Sequence, residues 1–248
     1  MLKKAILVIL VLGILALTTI SPVLAAKNEP RDLRKVIFIH RDVRSSVLDL
    51  PVSEKGFFKL INGGVKWKSL PVSIEVNPTN TYGLSENDVI VVVNTSAEEW
   101  DDGAYSGWGG VSVNLFHDTI TVTTKTYDDL AWTSDKLDGS NTIVWGDYPE
   151  EGVIAVTILW YDNRNKEILE FDVVLDTDYT WTISESGISG TMDLQNILTH
   201  ELGHGAGLND VYQPPAYQET MYGYADFGEI SKRDLHAGDI KGITKLYG

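Results

Sequence analysis

Five histidines occur in 248 residues, and two of them stand four positions apart in His200-Glu201-Leu202-Gly203-His204-Gly205-Ala206-Gly207-Leu208-Asn209-Asp210. Residues four apart on an α-helix project from one face about one turn apart, so one tetrahedral zinc ion can take a nitrogen from each ring. Glu201 follows the first histidine and can lean toward the corner such an ion leaves for water. There a carboxylate accepts the proton that the metal has made acidic, which makes Glu201 the expected general base. A third ligand cannot come from continuing the helix, because six further residues at about 1.5 Å each would carry Asp210 roughly 9 Å past His204. Gly207 is placed to let the chain turn back, since the left-handed conformation just past a helix end suits glycine best. Asp210 then returns as an oxygen ligand, completing a set of His200, His204 and Asp210.

The elements that must position these groups can be read around them. The active helix is expected from near Asp193, a short acid able to cap free amides, to about Ala206, with Leu194, Ile197, Leu198 and Leu202 facing a sheet. Upstream, Val72–Val76 alternates with the period of a half-buried strand, and Ser85-Glu86-Asn87-Asp88 opens a first long helix running to about Trp100. Trp108-Gly109-Gly110 marks a loop. Thr119–Thr126 reads as an extended segment at a sheet edge, and Asp138-Gly139 turns into a strand from Asn141 to Trp145. Val153–Tyr161 and Ile168–Leu175 read as paired strands across Asp162-Asn163-Arg164-Asn165. Near the end, Ser231 is expected to cap a last helix carrying Leu235, Ile240, Ile243 and Leu246. His236 falls inside that helix and, like His117, has no ligand pattern around it, so both are assigned surface or packing roles.

Composition narrows the setting. Met1-Leu2-Lys3-Lys4, the apolar run Ala5–Ile20 and the small-residue exit Val23-Leu24-Ala25-Ala26 have the three regions of a secretory signal, so residues 1–26 are read as a signal peptide and the protein as secreted. Residues 27–63, mixed in charge and ending in Asn62-Gly63-Gly64, read as a pro-segment or N-terminal extension, and 64–248 as the catalytic domain. Losing Lys3 and Lys4 with the signal moves the formal charge from -15 to -17, which argues against nucleic acid and against stable association with anionic membranes. No cysteine is present, so packing or ions must hold an exported fold together. The acids Asp101-Asp102, Asp128-Asp129, Glu150-Glu151, Asp135, Asp138, Asp147, Asp176 and Asp178 either solvate the surface or converge on calcium, though no EF-hand spacing occurs.

The motif His-Glu-x-x-His-x-x-Gly-x-x-Asp, followed by Glu219-Thr220-Met221-Tyr222-Gly223-Tyr224, resembles the metzincin clan of zinc metallopeptidases. Tyrosine directly after the methionine is most similar to the matrixin form of the methionine turn. Asp193–His204 and the ending Asp239–Gly248 are also similar to matrixin catalytic domains, with a weaker likeness reaching up to about Gly64. The resemblance implies an α+β, zincin/metzincin-like fold: a twisted mixed β-sheet, two long helices, an active-site helix carrying the two histidines, a Met-turn and a C-terminal helix. It further implies that Met221 forms an apolar floor beneath the zinc and that Tyr222 lines the wall of the main specificity pocket. Three departures stand out. Aspartate replaces the third histidine, only His117 remains in the interval where matrixins bind a second, structural zinc, and the cysteine that keeps matrixin precursors latent is absent. One catalytic zinc is therefore expected, and latency must arise differently, with His40 or Asp42 of Ile39-His40-Arg41-Asp42 as candidates to plug the metal.

Together these readings imply a secreted, monomeric zinc endopeptidase that hydrolyses peptide bonds of protein or peptide substrates with a zinc-bound water and Glu201 as base. By the resemblance, substrate would add as a strand to a sheet edge near Thr119–Val144. Two rivals remain. One is a zincin whose third ligand is Glu219 or Glu229, and the other is a secreted non-catalytic module that uses its metal or its acidic surface for interaction.

Overall fold

In the computed structural model the described residues are 32–42, 56–102, 113–130 and 137–248. Two of the three ten-residue strands are the most apolar stretches: β6 (Val153–Asp162) and β7 (Glu167–Asp176) are buried on nearly every residue. Continuous burial of this kind marks strands covered on both faces. Asp162 closes the connection between them, its carboxylate accepting the amides of Arg164 and Asn165, and the two strands pair antiparallel from Ala155 opposite Leu175 to Asp162 opposite Glu167.

On the far side of β7, β5 (Thr142–Gly146), β3 (Glu75–Val76) and β4 (Thr121–Val122) add in parallel. Beyond β6 lies β1 (Leu33–Asp42), antiparallel to it, and then β11 (Tyr224–Ala225), parallel to β1. The seven-stranded order is β11-β1-β6-β7-β5-β3-β4, a mixed sheet.

Helix α1 (Glu86–Asp102) starts where Ser85 offers its hydroxyl to the amide of Asp88, with Glu86 and Asp88 set against the positive helix end. It packs beside α2 (Leu194–Gly205). Val89, Val93 and Trp100 of α1 and Leu194, Ile197, Leu198 and Leu202 of α2 share one core with Phe116, Leu159, Phe171 and Val173. A smaller core on the opposite face joins Val156, Ile158 and Trp160 to Val144, Val174 and Leu130. The fold is α+β, and among the described residues no helix is long and apolar enough to cross a membrane.

Several local expectations change. The last helix, α3 (Ala237–Tyr247), begins six residues after Ser231, which instead opens a short 3-10 turn ending at Arg233. His236 is its N-cap residue, and the reason is Asp239, whose carboxylate takes the His236 amide at 2.9 Å and also the Thr220 and Met221 amides, so the helix start is tied to the methionine turn. Of Val72–Val76 only Glu75–Val76 is laddered, with Val72 bridging Phe116. Two stretches assigned by sequence to the leader pair with the rest of the chain: β1 within the sheet, and β2 (Lys59–Leu60) against β10 (Leu208–Asn209). The loop read at Trp108–Gly110 lies outside the described residues.

Candidate metal centre

Helix α2 is held at both ends. Asp193, in the short strand β9 (Met192–Asp193) that pairs with β8 (Trp181–Thr182), caps the helix by accepting the Asn196 amide at 2.9 Å. The Arg233 guanidinium grips the same carboxylate through Nε at 2.8 Å and Nη2 at 2.5 Å. Midway, Trp100 Nε1 donates to the Thr199 carbonyl. A side chain at Gly203 would run into the Met221 sulfur and the Trp100 ring, so glycine there lets the methionine turn close against the helix. Gly207, at φ 106°, turns the chain back, and β10 carries it toward Asp210.

Both motif rings spend their Nδ1 on backbone carbonyls: His200 donates to Thr220 O at 2.7 Å and His204 to Leu208 O at 2.9 Å. That leaves each Nε2 as a lone-pair donor with its ring orientation fixed, the arrangement expected of metal-binding imidazoles. Asp210 Oδ1 lies 3.3 Å from His200 Nε2 and 3.5 Å from His204 Nε2. Ligand atoms about 2.0–2.1 Å from a tetrahedral ion sit about 3.3–3.4 Å apart, so this triangle has the size of three corners of a zinc site. His200 Nε2 and Asp210 Oδ1 are buried and have no hydrogen-bond partner among the described residues, and the donor set fits a divalent metal.

The electrostatics follow the burial. Burial, reinforced by the neighbouring His40 ring, pushes the His200 imidazole down to about 4. Burial acts the same way on His204, but the Asp210 carboxylate beside it wins and holds that ring above its ordinary value. For Asp210 burial raises the pKa while the two rings hold the carboxyl well below its usual range. Glu201 is pushed up by its own burial, against the pull of both histidines.

Glu201 is fully buried, with Oε2 accepting the Thr157 hydroxyl at 2.5 Å and Oε1 lying 3.1 Å from His40 Nδ1. Thr157 was not singled out by sequence, yet it is the lone polar residue in the run Val153–Trp160, which is the signal that marks it. Phe38, also unread, stacks on His204 with ring centroids 4.0 Å apart. The groups that meet Glu201 thus come from β1 and β6. Within the Thr119–Val144 region, read as a sheet edge for substrate, β4 does end the sheet, but it lies across β7 from β1 and β6.

Met221 is buried under α2, and the Thr220 carbonyl preceding it is the partner of His200. Tyr222 lines a cavity of about 240 Å³ with Tyr217, Tyr224, Ala225 and the ion pair of buried Lys232 with partly buried Glu229. A larger cavity, about 410 Å³ and lined by Trp67, Ile74, Glu75 and Asn141, contains none of the motif residues.

The other candidates separate from the centre. Glu219 accepts the amides of Phe57 and Gly238, and Glu229 is bound by Lys232, so neither rival third ligand joins the histidines. The acids do not converge on one point. Asp101 accepts the Leu115 and Phe116 amides, Asp138 pairs with Lys125 and Glu150 with Arg41, while Asp147, Asp176 and Asp178 form a separate group with ligand atoms within 4.8 Å of one another. Asp135 lies outside the described residues. His117 is exposed.

Residues 150–248 match the matrixin peptidase family. The chain is 25% identical over 197 residues to metalloendoproteinase 1-MMP of Arabidopsis thaliana, covering 77% of this chain and 47% of that protein. It is 38% identical over 77 residues to macrophage metalloelastase of Oryctolagus cuniculus, covering 31% of this chain and 15% of that protein. It is 38% identical over 77 residues to human matrilysin, covering 31% of this chain and 27% of that protein. The chain therefore spans less than half the length of these relatives. The family match takes in β6, β7, α2, the methionine turn and α3: the chain carries a matrixin-like metallopeptidase domain.

Proposed function

We propose that the protein is a zinc-dependent endopeptidase in which His200, His204 and Asp210 hold the metal and Glu201 is the general base. The observation that carries this reading is the triangle of two Nε2 atoms and one carboxylate oxygen, 3.3 and 3.5 Å on its measured sides and buried next to Glu201. Zinc, when bound there, supplies Lewis-acid activation of a water molecule and of the scissile carbonyl.

The chain's own residues do the remainder. Thr220 and Leu208 carbonyls fix the two ring tautomers, and Thr157 holds one oxygen of Glu201 while the other meets His40. Burial favours the protonated form of Glu201, which suits a group that takes a proton from the attacking water and returns it to the leaving amine. Met221 supplies the apolar underside of the helix, and the cavity beside Tyr222 offers a largely hydrophobic recess for one substrate side chain. The substrate class is protein or peptide. The segments Met1–Ala26 and Lys27–Gly63 are proposed as a signal and a leader of a secreted enzyme.

The zinc-loaded protein is expected to cleave denatured casein in a chelator-sensitive way. Glu201→Ala should keep its zinc by elemental analysis and lose about 10²–10⁴-fold in kcat. Full activity in a zinc-replete Glu201→Ala protein would remove Glu201 from the mechanism, and a wild-type protein that binds zinc yet cleaves nothing would favour the non-catalytic alternative.

A further inference from the structure

We propose that Leu33–Asp42 is a built-in occupant of the substrate groove, a strand of the protein's own chain that an extended peptide must displace, with His40 clasping the carboxylate of Glu201. The inference rests on the assignment of Glu201 as the base and adds the regulation of that site.

Strand β1 is paired on both sides, antiparallel to β6 from Leu33 opposite Asp162 to Arg41 opposite Val153, and parallel to β11 through Arg41 with Tyr224 and Asp42 with Ala225. Its departure would leave a slot between β6 and β11 whose backbone amides and carbonyls lack partners, which is the kind of edge an extended peptide completes. Alternate side chains then settle what the strand does there. Phe38 lies flat on His204 at 4.0 Å, and His40 stacks on His200 at 3.9 Å while its Nδ1 meets Glu201 Oε1 at 3.1 Å. Two successive inward residues thus cover both proposed ligand rings and the proposed base.

Two further observations favour this segment over a merely structural strand. His40 Nε2 is buried without a hydrogen-bond partner among the described residues, an arrangement a core histidine rarely keeps. The strand Leu33-Arg34-Lys35-Val36-Ile37-Phe38-Ile39-His40-Arg41-Asp42 carries three basic residues in a chain of net charge -15, and Arg41 reaches Glu150 at 2.6 Å, so attraction to an acidic body adds to the pairing. Asp42, the other candidate plug, pairs with Ala225 and is not grouped with the motif residues.

The test compares the full chain with Phe38→Asp, which buries a charge against His204, and with His40→Ala, a milder change that keeps the strand's pattern. The first readout is binding of a fluorescently labelled peptide of the sequence Val36–Asp42 to chelator-treated protein, where no turnover occurs. Apparent affinity scales with the fraction of molecules whose groove is open, so both variants should bind at least about ten-fold more tightly than wild type. The second is cleavage of a quenched peptide by the zinc-loaded proteins, which should rise in the same order. Equal probe binding by wild type and His40→Ala, with equal cleavage, overturns the proposal even if Phe38→Asp fails to fold. A gain in probe binding with no cleavage by any of the proteins leaves the occupant in place and removes the peptidase reading instead.

Discussion

Two sets of buried polar groups lie within this chain, and they are resolved in opposite ways. The carboxylates of Asp101, Asp193, Glu219 and Asp239 are each met by donors from the chain: paired amides for Asp101 and Glu219, an amide and a guanidinium for Asp193, and three amides for Asp239. At the motif the acceptors His200 Nε2 and Asp210 Oδ1 instead face one another with no donor between them. Burying a polar atom costs free energy unless it is hydrogen-bonded, and two facing acceptors, unlike the scattered unpaired atoms of Asn94, Ser96, Trp160 and Glu170, are a group that a single cation would satisfy. The first set is architecture: it ties helix starts and the methionine turn to their neighbours. The second is the set to which we assign the metal.

The sharpest way to break this contrast is to remove one carboxylate from each set. Asp210→Ala should weaken zinc binding by more than the roughly 10–100-fold typical of losing a group that merely supports a ligand, whereas Asp193→Ala should leave zinc stoichiometry intact and lower thermal stability instead. Competition against a chromophoric chelator reads the first and a melting curve the second. Equal zinc loss in both variants would erase the distinction.

How legible this contrast was in the sequence depends on range. The pairing of His200 with His204 and the cap at Asp193 are consequences of helix geometry, and the turn back at Gly207 needs only a residue tolerant of positive φ, so all three can be read locally. The antiparallel pair β6 and β7 was legible for the same reason, two apolar runs across a polar turn. The positions of β1 and Thr157 were not, because both depend on pairings between segments far apart in sequence, and no periodicity says which strand neighbours which. The start of α3 departs from its local signal because Ser231 is a good local cap, while the tertiary bonds of Asp239 with the Thr220 and Met221 amides move the start to His236. The acids read by composition as solvating the surface or converging on calcium are dispersed, because Asp101 meets two amides, Asp138 meets Lys125 and Glu150 meets Arg41, while Asp147, Asp176 and Asp178 stand together elsewhere.

A second, smaller effect probes the architectural set alone. Asp239 is fully buried, and burial together with nearby Glu219 pushes its carboxyl up to about 6. Asp239→Ala leaves the amides of Thr220, Met221 and His236 without their acceptor, and should destabilise the metal-free protein by about 3 kcal/mol, within the range for buried groups left unpaired. Asp239→Asn keeps an acceptor oxygen and should recover much of that loss. Thermal unfolding in chelator measures both, and an Asp239→Ala protein as stable as wild type would show that the methionine turn does not depend on this carboxylate.

The smallest effect is expected on the side of the sheet away from the motif, where, among the described residues, Asp172 on β7 accepts the Thr142 amide alone and burial pushes it up to about 7. Its folded-state pKa lies above the unfolded value near 3.8, so the folded protein holds the proton more tightly. The stability this contributes is complete below about pH 4 and is lost as pH rises through about 7. Replacing the group by a neutral one of the same shape removes the dependence. Asp172→Asn should therefore raise stability at pH 8 by on the order of 1–2 kcal/mol, a few degrees in Tm for a chain of this size, and the gain should shrink to nothing by about pH 4. Melting curves of wild type and variant across that range give the difference directly, which cancels the parallel contributions of Asp101, Asp176 and Asp239. A gain that stayed constant with pH would mean that the side chain acts through packing rather than through its charge. In that event Asp172 would belong with the carboxylates that the chain's own donors satisfy, and the acidic side of the sheet would carry no ionisation strain at neutral pH.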